Sequence, residues 1–200
     1  MPQMSNNSNS ETQQLILEAA ECRFRQYGFN KTTMAEIANE CKMSASNIYR
    51  FFPSKLDIAA ALACNCLEKE QNTLHDVVSD RQLSATDRLQ KFILTLFHVT
   101  YTDWSEDPRM NEMVVAICHE RMDIVDKHIQ FKHALLITLL REGVDSKEFS
   151  VKDLQVTAEA ISTCLTLFDV PLFMPLFTRE EFERKAKGVF DLVINGLKYH

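Results

Sequence analysis

The sequence predicts an all-α protein on three observations. Only four Gly and five Pro occur in 200 residues, too little punctuation for the many turns of an all-β chain. Leu, Ala, Glu and Lys, the strong helix formers, are plentiful. Helix-start signatures recur along the chain, and no segment reads convincingly as a strand.

The elements follow in order. Residues 1–10 are polar and Asn/Ser-rich and read as a disordered tail. Ser10 opens S-E-T-Q, a capping box with Gln13, and a helix follows to about Tyr27, where Gly28 stops it. Thr33 opens a second box, T-M-A-E, with Glu36, and Met34, Ile37, Ala38 and Cys41 follow at helical spacing. Ser44 caps a short helix to about Phe52, and Pro53 ends it, because the residue before a proline disfavours helix. Ser54 with Asp57 starts a helix that runs past Glu70. Ser84 with Asp87 opens another, carrying Leu89, Phe92, Ile93, Leu96 and Phe97. Asp107-Pro108 pairs an N-cap with Pro at the first helical position. Residues 109–142 are periodic but too long for one typical helix, so a break is expected near Arg121 to Asp126, with Gly143 stopping the second part. Ser150 with Asp153 opens a helix through Thr166, Asp169-Val170-Pro171 interrupts it, and Thr178 with Glu181 opens the last, to about Leu197.

Bulk properties exclude several classes. Six cysteines without a CxxC pair, and no secretory signal ahead of them, point to a cytoplasmic protein with reduced thiols. No apolar run approaches the roughly 20 residues of a membrane span. The net charge is −6, and residues 1–60 carry six basic and six acidic groups. Nucleic-acid binding must therefore come from a few well-placed cations and not from the overall field. No GxSxG, HExxH or P-loop motif occurs, and no His has a Glu three residues before it, so an enzyme built on a helical bundle is disfavoured. No cofactor is expected.

Two short helices joined by a tight turn at Lys42-Met43, preceded by a longer one, form the layout of a helix-turn-helix. In that motif the second short helix enters the major groove and reads base edges with its amino-terminal residues. Ser44, Ala45, Ser46 and Asn47 are small or polar, so this end can approach bases closely. Asn and Ser can hydrogen-bond base edges, and an Ala methyl can meet a thymine methyl. Ile48 and Phe52, four apart, should face the core. Tyr49 and Arg50 then turn outward, where a phenol and a guanidinium can reach phosphates. The placement of Phe51 is left open.

The run Tyr27-Gly28-Phe29-Asn30-Lys31-Thr32-Thr33-Met34-Ala35-Glu36-Ile37-Ala38, followed by Ser44-Ala45-Ser46-Asn47-Ile48-Tyr49-Arg50-Phe51-Phe52-Pro53-Ser54-Lys55, resembles the DNA-binding domain of the tetracycline-repressor family. The match covers about residues 11–62 without insertion. Phe51 stands where Tyr or His is usual, and Ser46 where Gly is common. The resemblance implies that Thr33 bonds a phosphate, that Ser44, Ala45, Ser46 and Asn47 meet bases or adjacent phosphates, and that Tyr49 and Lys55 hold the DNA backbone. It implies three parts: a tail at 1–10, a helix-turn-helix DNA-binding domain at 11–56, and a larger helical effector-binding and dimerisation domain at 57–200. It implies a ligand-responsive regulator, most often a repressor, that binds a palindromic operator as a homodimer through its last two helices and is released by a small molecule. The effector candidates are His98, Tyr101, Trp104, Cys118, His119, Met122 and Phe168, with Phe173 and Met174 beside them. Aromatics with a few polar groups suit an apolar ligand, although the same pattern at helical spacing also describes plain core.

A metal sensor would draw on His119 and Asp123, four apart with Cys118 adjacent, or on His128 and His133 further along. None has the spacing of a structural zinc site, so no metal site is expected. Cys64 and Cys66, two apart, lie on different helix faces and are poorly placed to form a disulfide. A helical adaptor that uses the same fold to bind protein is the remaining alternative.

Overall fold

A computed structural model describes residues 3–198, without the side chains of residues 3–8, Trp104 and Glu106. The described residues form nine α-helices and no strand: α1 (Gln3–Tyr27), α2 (Met34–Glu40), α3 (Ala45–Phe51), α4 (Lys55–Ser79), α5 (Ala85–Glu106), α6 (Asn111–Glu120), α7 (Met122–Asp145), α8 (Leu154–Asp169) and α9 (Arg179–Leu197). Short 3-10 turns occupy Pro108–Met110 and Pro171–Leu176. The chain is all-α, as its composition and capping pattern predict.

Packing divides the chain into two compact units, Met1–Cys66 with Asp107–Val125, and Leu67–Glu106 with Asp126–His200. This grouping differs from a boundary after residue 56, because the segment after α5 is tied to the end of α1. Glu112 accepts a hydrogen bond from the Asn30 amide at 2.8 Å, Arg109 donates to the Gln26 carbonyl, and Arg25 pairs with Asp107.

In the first unit, α1 turns Ile16, Ala20 and Phe24 inward. It ends where Gly28 takes φ +88°, a left-handed conformation that costs other residues strain. Phe24 and Phe29 meet edge to face with ring centroids 5.3 Å apart. Met34, Ile37 and Ala38 of α2 and Ile48 of α3 are buried beside them.

In the second unit, α5 packs against α8 and α9. Phe97 stacks on Phe182 at 5.4 Å, and Phe168 meets both edge-on. Leu89, Ile93, Leu136, Leu139 and Leu140 complete the core. Arg88 is buried and held through its Nη1, which donates to the Val78 carbonyl at 2.7 Å and to Glu142 at 2.6 Å, while its Nε has no partner. Arg81 pairs with the same carboxylate. The Glu148 carboxylate caps α5 from a distance, accepting from the Ala85 and Thr86 amides at 2.9 Å each.

Three expectations are corrected. Ser10 does not start α1, which begins at Gln3; no Gly or Pro interrupts residues 3–27, so the ladder extends through the polar run. Gly143 does not stop α7. The helix reaches Asp145, and the stop is a turn in which Lys147 takes φ 62° while the Glu148 amide bonds the Gly143 carbonyl at 2.8 Å. Gly143 is there for space: a Cβ would lie 2.1 Å from Phe149 Cδ2. The cap of α8 is Asp153 and not Ser150, because Asp153 accepts from the Gln155 and Val156 amides at 2.9 and 3.1 Å. The break after α6 falls at Arg121, at the start of the expected window.

Gly143→Ala is expected to lower the unfolding free energy by roughly 1–3 kcal/mol through overpacking against the Phe149 ring. Gly196→Ala, where a Cβ meets open space, is expected to leave it unchanged or raise it. Urea titrations of the two variants check this.

Burial pushes the carboxyls of Glu142 and Glu148 up, but hydrogen bonds from Arg81 and Arg88 to the first, and from the Thr86 and Ala85 amides to the second, bring both below the usual carboxylate range. A carboxylate with a lowered folded pKa contributes stability above its unfolded pKa and loses it as pH falls through the folded one. The urea midpoint should therefore drop on acidification from below about pH 5. Glu148→Gln should flatten that fall.

Candidate functional site

Thr33 caps α2. Its hydroxyl accepts from the Glu36 amide at 3.3 Å, and the Glu36 carboxylate accepts from the Thr33 amide at 2.8 Å, so the capping box is complete. The Thr33 amide and hydroxyl hold the Glu36 carboxyl below its ordinary value. Arg23 of α1 reaches the same carboxylate at 3.1 Å and Glu40 at 3.6 Å, and its guanidinium lies over the Tyr27 ring, 4.7 Å from the centroid. Through Arg23, α1 braces both ends of α2.

The turn from α2 to α3 is built on Lys42, which has φ 54°. The Met43 amide donates to the Ala38 carbonyl at 2.8 Å and the Lys42 amide to Asn39 at 3.0 Å, the double bond pattern of a Schellman stop. Ser44 then caps α3, accepting from the Asn47 amide at 3.3 Å, and its hydroxyl lies 3.0 Å from that of Ser46.

Helical period sorts the faces of α3. Ile48 is fully buried, and Phe52 just beyond the helix is buried too. Ser44, Ala45, Ser46, Tyr49 and Arg50 are exposed, and Asn47 and Phe51 are half-buried. Tyr49 is 52% exposed, unusual for so large an aromatic. Among the described residues, the exposed cations Lys31, Lys42 and Arg50 form no ion pair.

Lys55 is placed differently. Its ammonium donates to the Phe29, Thr32 and Asn30 carbonyls at 2.6, 2.8 and 3.3 Å and sits 4.3 Å from the Phe29 ring centroid. All three of its donors serve the loop before α2, and burial lowers its pKa against the pull of Glu112 and Glu36. Lys55 is a clamp of the fold.

The effector candidates fall in both units. In the second, His98 lines an open groove of about 270 Å³ between α5 and α9 with Ile93, Leu94, Glu183 and Phe190. Tyr101 is half-buried against Phe97 and Phe182, with ring centroids 5.5 and 6.2 Å away. Phe168 is buried in the same aromatic core and presents no free face. In the first unit, Cys118 is half-buried with its thiol pKa pushed up by burial, which makes it an unreactive thiol. His119 and Met122 are exposed. The Trp104 side chain lies outside the described residues.

The sequence reading missed a polar constellation in the second unit. Glu70 of α4, His128 and Lys132 of α7 and Asp169 ending α8 bring one imidazole, two carboxylates and an ammonium together. Lys132 lies four residues after His128 on the buried face of α7, a charge on an apolar stripe that periodicity alone could have flagged.

The model of the family described as "Bacterial regulatory proteins, tetR family" matches residues 16–62, and that of "Tetracyclin repressor-like, C-terminal domain" matches residues 85–190. The probable HTH-type transcriptional regulator ArpR of Pseudomonas putida is 28% identical over 126 residues, 63% of this chain and 60% of its own length. A crystal structure of a transcriptional regulator from Cytophaga hutchinsonii superposes with a TM-score of 0.67 at 23% identity, covering 93% of this chain and 98% of its own. The structure of SmeT, the repressor of the Stenotrophomonas maltophilia multidrug efflux pump SmeDEF, gives 0.67 at 18% identity over 92% and 89%. These structural likenesses concern the fold.

Lys55→Met is expected to lower the unfolding free energy by roughly 1.5–3 kcal/mol, the scale of hydrogen bonds from a charged donor. Chemical denaturation tests it. A variant of unchanged stability with weakened DNA binding would instead assign Lys55 to phosphate.

Proposed function

The chain belongs to the tetracycline-repressor family, and from that premise we propose that it is a ligand-responsive repressor which binds a palindromic operator as a homodimer. The family is one of DNA-binding transcriptional regulators and not of enzymes. The observation that carries the reading is the surface of α3: its buried side is spent on Ile48, while Ser44, Ala45, Ser46, Tyr49 and Arg50 face outward together. Short hydroxyls and a methyl suit base edges, and Tyr49, Arg50, Lys31 and Lys42 suit phosphates. Thr33, exposed at the cap of α2, can offer its hydroxyl to a phosphate while it keeps its box.

One helix of seven residues reads few base pairs, so specificity asks for a second copy. We place the pairing on α8 and α9. Val156 is 60% and Leu192 76% exposed. Ala160 and Cys164 continue the Val156 stripe along α8, and Gly188 precedes Leu192 by one turn on α9. An apolar stripe with small residues on two neighbouring helices fits a self-complementary, two-fold interface. An effector held in the larger helical unit can release DNA only by binding the two conformers of the dimer unequally. SmeT, of the same fold, is a repressor of an efflux pump. No helix among the described residues is long and apolar enough to cross a membrane, and we place the regulator in the cytoplasm with its DNA.

Selection from a pool of random duplexes is expected to return one palindrome. Binding to it should fall with salt at a log–log slope of roughly −5, if three cations per protomer each neutralise one phosphate. Tyr49→Ala should abolish the enrichment. Leu192→Glu should turn the dimer into a monomer in analytical ultracentrifugation and weaken operator binding with it. No enrichment by the dimer at low salt would sink the proposal. An unchanged dimer carrying Leu192→Glu would move the interface elsewhere.

A further inference from the structure

We propose that Glu70, His128 and Asp169 form a binding site for one divalent transition-metal ion of the zinc class. One ligand atom from each lies within 4.8 Å of the others, although the residues are distant in sequence and come from three helices. The side chains of His128, Glu70 and Asp169 are 9, 11 and 18% exposed, and that of the neighbouring Lys132 is 5% exposed.

A self-sufficient ion-pair network would use its acceptors. This one does not. Glu70 Oε1 and Asp169 Oδ1 are shielded from solvent and accept no hydrogen bond. His128 Nε2 comes within 3.2 Å of Glu70 Oε1, yet the two are not aligned as donor and acceptor. Shielded carboxylate oxygens left bare carry a large desolvation cost. A cation bound by both removes it.

The spacing agrees. Two donors each about 2.05 Å from one ion stand roughly 2.9 Å apart in octahedral and roughly 3.4 Å apart in tetrahedral geometry. The nitrogen–oxygen separation of 3.2 Å falls between them.

The outer partners also fit. The other ring nitrogen, Nδ1, lies 3.2 Å from the Gln71 side-chain amide nitrogen; with that amide turned over, its oxygen accepts the Nδ1 proton, holds the ring plane and leaves Nε2 bare for the ion. Lys132 pairs with Asp169 Oδ2 and so leaves Oδ1 for it. One imidazole and two carboxylates form a nitrogen–oxygen donor set that suits zinc, cobalt or manganese and leaves positions open for water. With His128 neutral, the two carboxylates and Lys132 sum to −1, which a divalent cation reverses.

The site deepens the regulator reading by naming a ligand class, and it rests on that reading only for any effect on DNA. The test therefore uses the full-length protein without DNA. Chelator-treated protein is titrated with zinc chloride by calorimetry and with cobalt chloride by absorption spectroscopy. The expected result is one ion per chain, with visible cobalt bands and no thiolate charge-transfer band. Circular dichroism first establishes that each variant is folded. Binding should be lost in His128→Gln and in Glu70→Gln. In Gln71→Leu, which removes only the outer partner, it should weaken by roughly 10–100-fold. A folded wild-type chain that binds no stoichiometric ion overturns the proposal. So does binding that survives both ligand variants, or a thiolate band that assigns the ion to cysteine. Operator selection with the same metal-free protein fails or succeeds separately, so the two readings are judged apart.

Discussion

The ammonium of Lys55, at the first residue of α4, binds the three carbonyls through which the chain passes from α1 to α2. That loop begins at a left-handed glycine and contains buried Thr32, whose hydroxyl donates to the Gly28 carbonyl at 2.8 Å. Without a strong donor those carbonyls would compete for water, and the start of α2 would lose its reference point. The clamp joins the residue just before the helix-turn-helix to the residue just after it. Between these fixed ends, Arg23 holds α2 from outside and Ile48 holds α3 from inside. The outward aim of Tyr49 and Arg50 follows from that constraint.

What was legible in the sequence was local. The boxes at Thr33 and Thr178 were readable because a cap and its partner lie three residues apart and need no tertiary contact. The burial of Ile48 and Phe52 followed from period alone. Ser10 misled for the same reason: a box pattern is permissive, and only a chain break or a competing turn obliges a helix to start there. Gly143 misled because glycine signals either a special φ or a lack of room, and a one-dimensional pattern does not distinguish them. Lys55 was read as a cation for phosphate, although its three partners sit 23 to 26 residues earlier. The Glu70, His128 and Asp169 constellation was invisible because no spacing rule links positions on three separate helices.

The two units use charge differently. In the first, Lys31, Lys42 and Arg50 keep their charges in solvent. In the second, Arg88, His128 and Lys132 are buried, and each faces a carboxylate. Apolar side chains of the same volume would often be as stable or more so. Such groups earn their place by selecting one packing among several, or by meeting a ligand. Arg88 belongs to the first kind: Val78 and Glu142 hold its Nη1, and its unpartnered Nε is a donor that no cation could meet. The group around His128 belongs to the second, because two of its oxygens are acceptors left without a donor.

The contact between Gly143 and Phe149 also bears on ancestry. Two positions whose side chains would collide do not vary independently. A side chain acquired at 143 while the ring remains at 149 weakens the fold, and one acquired after the ring is replaced does not meet it. The order of the two substitutions thus changes what each of them costs, so the end of α7 couples these positions in descent as well as in folding.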